Sequence, residues 1–403
     1  MKKFTVLLLV ILLTLSATGC AKPDQTTPET TVKATVETTQ ETQEETQSAI
    51  ESVTHQLPLY AVSVPTLTEE ETADDGTLLF NKIYQNISLV VPDPEIADKI
   101  IVDFLNRIDQ AVASADTIKS SAVNDYSGDQ NWSPYLSRIS YDPKRIDSGV
   151  LSFFGICATY SGSSHPEVLY LSASYDLITG NHLSLSDILA ESADTNALYT
   201  AVIESLDETA KESSLYQGYG EIVKDLFSLD SAMDESWYFS GNGLCFYFQP
   251  YEIAPYSSGS VIAEVPYDKL PGILNDAYFP AERQAADGTV YAELFDETAL
   301  DGFTQIAEVI LHRDSCKILL HADALVYDLC LETGFWTDDS SVFMPEHTIF
   351  SAYTLTPGDA IMLEANIPDT HPNIRLTYSV GGETVYRYIT ISGKDGSVLL
   401  AES

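Results

Sequence analysis

Basic residues are scarce in this chain of 403 residues. Lysine and arginine together number 20, against 60 aspartates and glutamates, and the formal net charge is −40. Such a surface repels phosphate polymers, so the sequence argues against nucleic acid as a partner. It would attract basic ligands and raise their rates of association, although acidity that only keeps the protein soluble would look the same.

Recognisable catalytic motifs are also missing. The sequence holds no G-x-S-x-G elbow, no H-E-x-x-H pair and no P-loop. Its seven histidines are scattered, and His312 and His321 are nine positions apart, so on one strand they would point to opposite faces. We therefore predict that the protein is not an enzyme, and that it uses no metal and no cofactor.

Cysteine is rare, with five residues in the whole chain. Four of them follow Cys20, namely Cys157, Cys245, Cys316 and Cys330, and no two of these four have the close spacing of a zinc site. An exported protein can form disulfides, and four cysteines allow three pairings. A bridge between Cys157 and Cys245 would join two strands, whereas four buried free thiols are the alternative.

Long apolar runs are limited to the N-terminus. The run from Phe4 to Leu15 is too short to span a bilayer, which takes about 20 apolar residues. It follows two lysines and leads through small residues into Cys20, a pattern that resembles a lipobox. We expect residues 1–20 to be a lipoprotein signal peptide, with diacylglycerol and palmitate joined to Cys20. A plain secreted protein cleaved nearby is the alternative.

Residues 21–56 have the composition of a tether. They contain ten threonines, six glutamates and no aromatic residue. Such a segment buries too little apolar surface to offset the entropy lost on ordering, so it is expected to be disordered. The rest of the chain would then be held on the extracytoplasmic face of a bacterial cell membrane by the lipid on Cys20.

The remaining residues are too many for one ordinary core, and a polar stretch near residues 280–288 suggests two domains. In the first, residues 57–280, apolar residues recur with the two-residue period of strands in some segments and with the period of helices in others. This pattern predicts an α+β domain with an antiparallel sheet packed with helices. The expected elements include a helix over 93–112, strands over 149–160 and 167–177, helices over 196–210 and 219–229, and a hairpin over 237–249.

The second domain, residues 288–403, has a mainly β pattern. Seven short strands are expected, and they are separated by turn residues such as Gly381-Gly382. Strands at this spacing favour a mainly antiparallel β-sandwich.

The stretch FYFQPYEIAPYSSG, residues 246–259, begins as a strand and then stops alternating. Two prolines would stiffen the connection, which lowers the entropy lost on binding. Tyr251 and Tyr256 would offer amphipathic contact surface, and Glu252 could meet a basic group. We propose Tyr251, Glu252, Pro255, Tyr256 and His165 as ligand-binding residues. A rigid structural crossover, with His165 stabilising a turn, is the alternative.

Two segments in this order resemble a known family. They are YSGSSHPEVLYLSASYDLITGNHLSLSDIL, residues 160–189, and FYFQPYEIAPYSSG followed by a strand and VPYDKL, residues 265–270. The family is the extracellular domain of unknown function shared by RsiV-type anti-sigma factors and PdaC-type peptidoglycan deacetylases. The likeness covers roughly residues 78–274.

The resemblance implies a domain that senses lysozyme in the anti-sigma factors and accompanies a catalytic domain in the deacetylases. This sequence has neither the anti-sigma segment nor the deacetylase domain, so what carries over is the fold and ligand binding at the cell surface. We expect a non-catalytic lipoprotein that binds a lysozyme-like basic protein or a cell-wall glycan. The alternative function is an assembly lipoprotein that scaffolds envelope proteins through its β-sandwich.

Overall fold

The structure is a computed structural model that describes residues 57–129, 131–211, 214–228, 233–337, 342–368 and 371–402. The expected signal peptide, the lipidated Cys20 and the tether of residues 21–56 lie outside the described residues. The chain from His55 onward forms one compact unit, with an α+β region followed by a β-rich region. Within the described residues, no helix is both long and apolar enough to cross a membrane.

The α+β region is built on a five-stranded sheet with the order β2-β3-β5-β6-β7. Only the β3–β5 pair in this sheet is parallel. The strands are β2 (Thr66–Thr72), β3 (Leu78–Gln85), β5 (Tyr135–Ile146), β6 (Val150–Tyr160) and β7 (Glu167–Asp176). One end of the order is β7, so one side of this strand has no neighbour in the sheet.

Two helices, α1 (Pro94–Ala111) and α2 (Ala115–Asp125), pack on one face of this sheet. The Asp93 side chain caps α1 by accepting from the Glu95 N–H, and Pro94 stands in the first turn. Ile100, Phe104 and Ile108 recur four residues apart and are buried. The helix expected over 93–112 is therefore confirmed, whereas α2 and β5 were not among the expected elements.

A three-stranded antiparallel sheet lies on the other side of β6 and β7. It consists of β8 (Trp237–Phe239), β9 (Gly243–Phe248) and β10 (Val261–Pro266), and its core is shared with α3 (Leu185–Ile188), α4 (Thr195–Thr209) and α5 (Tyr219–Ser228). Phe154, Tyr170, Tyr238 and Tyr247 form the apolar contact between the two sheets. The expected hairpin and both expected helices are present.

The β-rich region is a sandwich of two sheets that share one core. Its own strands are β11 (Val290–Leu294), β12 (Gln305–Ile310), β13 (Cys316–Ala322), β14 (Val326–Trp336), β15 (Phe343–Leu355), β16 (Asp359–Ala365), β17 (Ile374–Val380), β18 (Glu383–Ile391) and β19 (Val398–Ala401). The sequence missed β11 and merged β13 with β14. Gly381 and Gly382 have φ angles of 59° and 83°, as a two-residue hairpin turn requires.

The N-terminal segment belongs to both regions. Strand β1 (Ala61–Ser63) pairs with β15 and with β4 (Ser88–Val90), so both strands complete the larger sheet of the sandwich. Leu59 and Ala61 are buried in the sandwich core, whereas Val62 and Val64 are buried in the α+β core. A strand that is apolar on both faces joins the two cores, so the two regions are not separate in space.

Candidate functional site

The connection after β9 is a rigid loop. At its start the Gln249 N–H donates to the Glu252 carboxylate at 2.9 Å, and the Glu252 N–H donates to the Gln249 carbonyl at 3.0 Å. Ile253 is fully buried, and its carbonyl accepts from the Tyr216 N–H at 2.8 Å. Tyr251, between these anchors, has a φ of 69°, which is unusual for a residue with a side chain.

The sequence-proposed residues Tyr251, Tyr256 and His165 meet in the structure, and we call these three rings the aromatic shelf. The His165 ring stacks on Tyr256 with centroids 4.6 Å apart and an angle of 27°. Tyr251 stacks on the same tyrosine at 5.9 Å and 29°. Tyr251 remains 56% exposed, so the shelf presents aromatic surface to solvent.

Hydrogen bonds fix the direction of the histidine ring. His165 Nδ1 lies 2.9 Å from the Pro166 carbonyl, which can only accept, so Nδ1 carries a proton. Nε2 lies 3.5 Å from the Tyr251 hydroxyl and, in the neutral ring, accepts from it. The Tyr256 hydroxyl donates to the same Pro166 carbonyl at 3.3 Å. Both nitrogens of His165 therefore serve the shelf itself.

Pro255 and Glu252, the other two loop residues proposed from the sequence, have structural roles in the loop. Pro255, with a φ of −66°, precedes the short 3₁₀ helix Tyr256–Ser258 and so sets the position of Tyr256. The Glu252 carboxylate turns inward to cap the Gln249 N–H, and burial raises its pKa. Glu252 thus holds the loop closed in this structure.

Two cavities flank the loop. The shelf pocket, of about 460 Å³, lies beside the aromatic shelf and is lined by residues that include Ser114, Cys157, Thr159, Glu167, Val168 and Leu169. The Arg107 pocket, of about 750 Å³, is lined by residues that include Arg107, Gln110, Tyr141, Ser172, Glu235 and Tyr247. Gln249 and Ala111 line both cavities, so the two meet at Gln249.

Gln249 makes the contact that separates the two pockets. Its Oε1 accepts from the Tyr170 N–H at 2.9 Å, and its Nε2 donates to the Tyr170 carbonyl at 2.8 Å. Sequence reasoning missed this residue and treated it as the end of a strand. A lone polar side chain directly after the run GLCFYF, all of which is buried, is the signal that could have found it.

Apart from Arg107, His165 and the Cys157 thiol, the polar side chains of the two pockets are hydroxyls, amides and carboxylates. Burial raises the pKa of Tyr170, and it raises the pKa of Tyr247 to about 12. The guanidinium of Arg107 is already engaged by Asp103 at 2.8 Å. Among the described residues, no group of three or more His, Cys, Asp or Glu side chains could hold a metal ion.

The four cysteines named as possible disulfide partners are free thiols in the structure. Cys157 lies in β6 and Cys245 in β9, and both are buried. Burial raises the pKa of Cys245 and that of Cys330 to about 12. These thiols are therefore packed as small apolar groups rather than poised for reaction.

Comparison with known proteins gives a family match for part of the chain. Residues 186–268 match the family described as a protein of unknown function, DUF3298. The match includes Tyr251 and Tyr256, whereas His165 lies before it. No curated protein matches the chain.

Two solved structures are similar to the chain at low identity. A member of the DUF3298 family from Bacteroides fragilis is 18% identical, with a TM-score of 0.39, over 55% of this chain and 95% of that one. A DUF3298 family protein from Pseudomonas aeruginosa is 17% identical, with a TM-score of 0.36, over 54% and 98%. The resemblance of this chain to the extracellular domain of RsiV-type anti-sigma factors and PdaC-type deacetylases stays a prediction. The similarity to the DUF3298 family model covers residues 186–268, about a fifth of the chain.

Proposed function

We propose that this chain is a lipid-anchored extracytoplasmic protein whose α+β region binds a basic protein of the lysozyme kind and carries out no catalysis. The observation that supports this most directly is the aromatic shelf. Two of its three rings, Tyr251 and Tyr256, stand on a loop held by a reciprocal hydrogen-bonded turn and a buried isoleucine, and His165, from the connection between β6 and β7, stacks on Tyr256. Aromatic surface that is already rigid loses little entropy when a ligand covers it.

Charge favours a basic partner. The chain carries three times as many carboxylates as basic side chains, and its first 56 residues account for only seven of the 60. Glu167 lines the shelf pocket, and Asp234 and Glu235 line the Arg107 pocket. A cationic protein would be steered toward this surface, and its lysines and arginines could stack on the tyrosine rings. A peptidoglycan glycan is the competing ligand of the same shelf.

The absence of catalysis is part of the proposal because of what His165 does. A general base must be free to take a proton from a substrate. Here one ring nitrogen donates to the Pro166 carbonyl and the other faces the Tyr251 hydroxyl. The ring is thus used to hold the shelf together, and the neighbouring tyrosines supply contact surface.

Calorimetric titration tests the binding. The lipid-free chain from His55 onward, which forms one compact unit, is titrated with lysozyme at about 0.3 M salt, where exposed charges are largely screened. An unrelated protein of similar basic charge is the specificity control. We expect selective binding to lysozyme. Equal binding to both proteins, or to neither, would overturn the basic-protein reading, and binding of wall glycan fragments in its place would favour the competing ligand.

A matched variant pair tests the shelf. Tyr256→Ala removes the central ring of the stack, and Tyr291→Ala removes a tyrosine that stacks on His321 at 5.6 Å on the β-rich region and is 45% exposed. We expect the first variant to weaken binding at least about tenfold, as for an aromatic residue at the centre of an interface, and the second to leave it unchanged. Equal affinities of the two variants would show that the aromatic shelf is not part of the binding site.

The lipid anchor has its own test. Cys20→Ala removes the sulfur that would carry the diacylglycerol. We expect the wild-type chain in the membrane fraction and labelled by radioactive palmitate, and the variant unlabelled and released. Equal membrane retention of an unlabelled wild-type chain would contradict lipidation.

A further inference from the structure

The outer side of strand β7 has no partner strand in its sheet among the described residues, and only the C-terminal end of that side hydrogen-bonds to the chain that directly follows β7. β7 is the last strand of the sheet and pairs only with β6 within it. In an antiparallel strand, alternate residues direct their N–H and C=O groups toward and away from the neighbour. The Ser174 carbonyl accepts from the Leu183 N–H at 2.8 Å, and the Asp176 N–H donates to the Asn181 carbonyl at 2.9 Å. The backbone N–H and C=O groups of the even-numbered residues of β7 therefore point away from β6.

The backbone N–H and C=O groups of Tyr170 also point away from β6, and the Gln249 side chain hydrogen-bonds to both of them. A side-chain amide offers one donor group and one acceptor, as a peptide unit does. The Gln249 amide makes both hydrogen bonds that one residue of a neighbouring strand would make, at 2.9 and 2.8 Å. It thus caps the edge at one position, as proteins commonly do to keep edge strands from pairing with other chains.

The edge is open on both sides of this cap. By the same alternation Val168 and Ser172 direct their backbone groups outward, and within the described parts of the chain no other segment hydrogen-bonds to them there. Val168 lines the shelf pocket, and Ser172 lines the Arg107 pocket. The two cavities therefore lie along one strand edge, on either side of the Gln249 amide.

We propose that the ligand contributes an extended segment that adds as a strand to β7 from Val168 to Ser172 and displaces the Gln249 amide. This rests on the proposed function, since the aromatic shelf borders the same groove. Five residues at about 3.4 Å each span roughly 17 Å. Main-chain hydrogen bonds then hold the segment, while alternate side chains enter the two pockets.

The occupant is a basic segment of another protein. Glu167 stands at one end of the groove, and Asp234 and Glu235 stand at the other. The cation in the groove, Arg107, is engaged by Asp103. A second copy of this acidic chain would bring like charges together at this edge, which is unfavourable. Lysine or arginine at alternate positions of the added strand would complement the carboxylates.

Hydrogen exchange of individual amides tests this mode of binding directly. With the chain from His55 onward, NMR compares exchange rates without and with lysozyme. We expect the Val168 and Ser172 amides to slow at least about tenfold on binding. The amides of Leu169 and Leu171, which already point toward β6, are the internal controls and should change little. Unchanged Val168 and Ser172 exchange in a lysozyme complex would overturn strand addition and leave the proposed function standing.

A peptide probe separates the two proposals. A heptapeptide of alternating lysine and valine should bind, and the same peptide with N-methyl groups on alternate residues should not, because it keeps the side chains but loses the donors. Equal binding of both peptides, or of neither, would overturn strand addition. Binding of the unmethylated peptide alone, without lysozyme binding, would support strand addition while removing lysozyme as the partner.

Two variants complete the test. Val168→Pro deletes an N–H that points away from β6 and leaves the hydrogen bonds to β6 intact, and an edge strand tolerates proline at such a position. This variant should bind the heptapeptide at least about tenfold more weakly. Gln249→Ala removes the competing amide and should bind the heptapeptide more tightly. Weaker binding by a folded Gln249→Ala chain would contradict the capping role. Sedimentation at the working concentration should find a monomer, since a dimer with protected Val168 would assign the edge to a second copy.

Discussion

Replacing the buried Arg145 is expected to cost more stability than replacing Arg283, a paired cation that is far more exposed. The Arg145 side chain is only 5% exposed, and its Nε and Nη2 each lie 2.6 Å from Asp147 Oδ2. Its Nη1 donates to the Tyr267 hydroxyl and to the Tyr278 carbonyl, both at 2.7 Å. The guanidinium thereby connects the end of β5 to the segment that follows β10, and it lies 5.0 Å from the Phe239 ring.

The magnitude follows from what Arg145→Ala would leave behind. Asp147 would stay buried without its partner, although its Oδ1 keeps the N–H groups of Gly149 and Val150 at 2.8 and 2.9 Å. Breaking a buried pair by removing one partner costs about 3–5 kcal/mol, because an uncompensated charge remains. The matched control is Arg283→Ala, whose pair with Asp328 has similar distances but is more than 40% exposed, and such a pair contributes below about 1 kcal/mol.

Urea unfolding of the two variants and the wild type measures the difference. Circular dichroism and tryptophan fluorescence should give coincident transitions, which is the condition for extracting a free energy of unfolding. We expect the Arg145→Ala midpoint to fall well below that of Arg283→Ala at equal slope. Equal midpoints for the two variants would refute the argument that burial makes the Arg145 pair indispensable.

Three further outcomes are expected. Gly155→Ala should lower the free energy of unfolding by about 1–3 kcal/mol, because a Cβ there would lie 2.5 Å from the Tyr141 ring in the sheet core. Burial lowers the pKa of His182, so the unfolded state binds its proton first; stability should fall as pH falls from about 7.5 through the ordinary histidine range near 6.5, and His182→Gln should flatten that profile. Cys245 and Cys330 should resist a thiol reagent at pH 8 until the chain unfolds.

Each of these outcomes has a result that would contradict it. A Gly155→Ala chain as stable as the wild type would mean that the Tyr141 ring moves aside freely. A pH profile unchanged by His182→Gln would assign the pH dependence to other groups. Fewer than four titratable thiols in the unfolded chain from His55 onward, without reductant, would restore the disulfide alternative for the cysteines.

The sequence predicted those elements whose local signals agree with their burial. In α1 the cap at Asp93 and the apolar positions four residues apart point the same way. The next helix, α2, buries only Ala115 and Ala122 and has no side-chain cap, so its pattern is weak. In β5, Pro143 argues against a strand, and the ladder accommodates it only through an irregular register between Pro143 and Arg145.

The sequence singled out three rings that the structure brings together, but it predicted neither their geometry nor the part of Gln249. The density of tyrosine and proline in residues 246–259 marked the loop, and family resemblance added His165, which lies 91 positions before Tyr256 in the chain. The position of Gln249 carried a sequence signal, but the pairing of its amide with the Tyr170 backbone did not. That pairing joins residues 79 positions apart and depends on β7 being the last strand of its sheet. Edges of sheets are set by tertiary packing, which periodicity along one segment does not encode.

At Tyr251, stability and the proposed binding favour different residues. Its left-handed backbone costs about 1–2 kcal/mol for a residue with a Cβ, whereas glycine would lose only about 0.5–1 kcal/mol of conformational entropy there. The exposed ring recovers little of that strain through burial, since more than half of it faces solvent. Stability alone would therefore favour glycine at this position, and strained residues of this kind concentrate at functional sites. A ligand that covers the ring would account for a tyrosine there, so under the proposed function Tyr251→Gly should hold or gain stability while losing affinity.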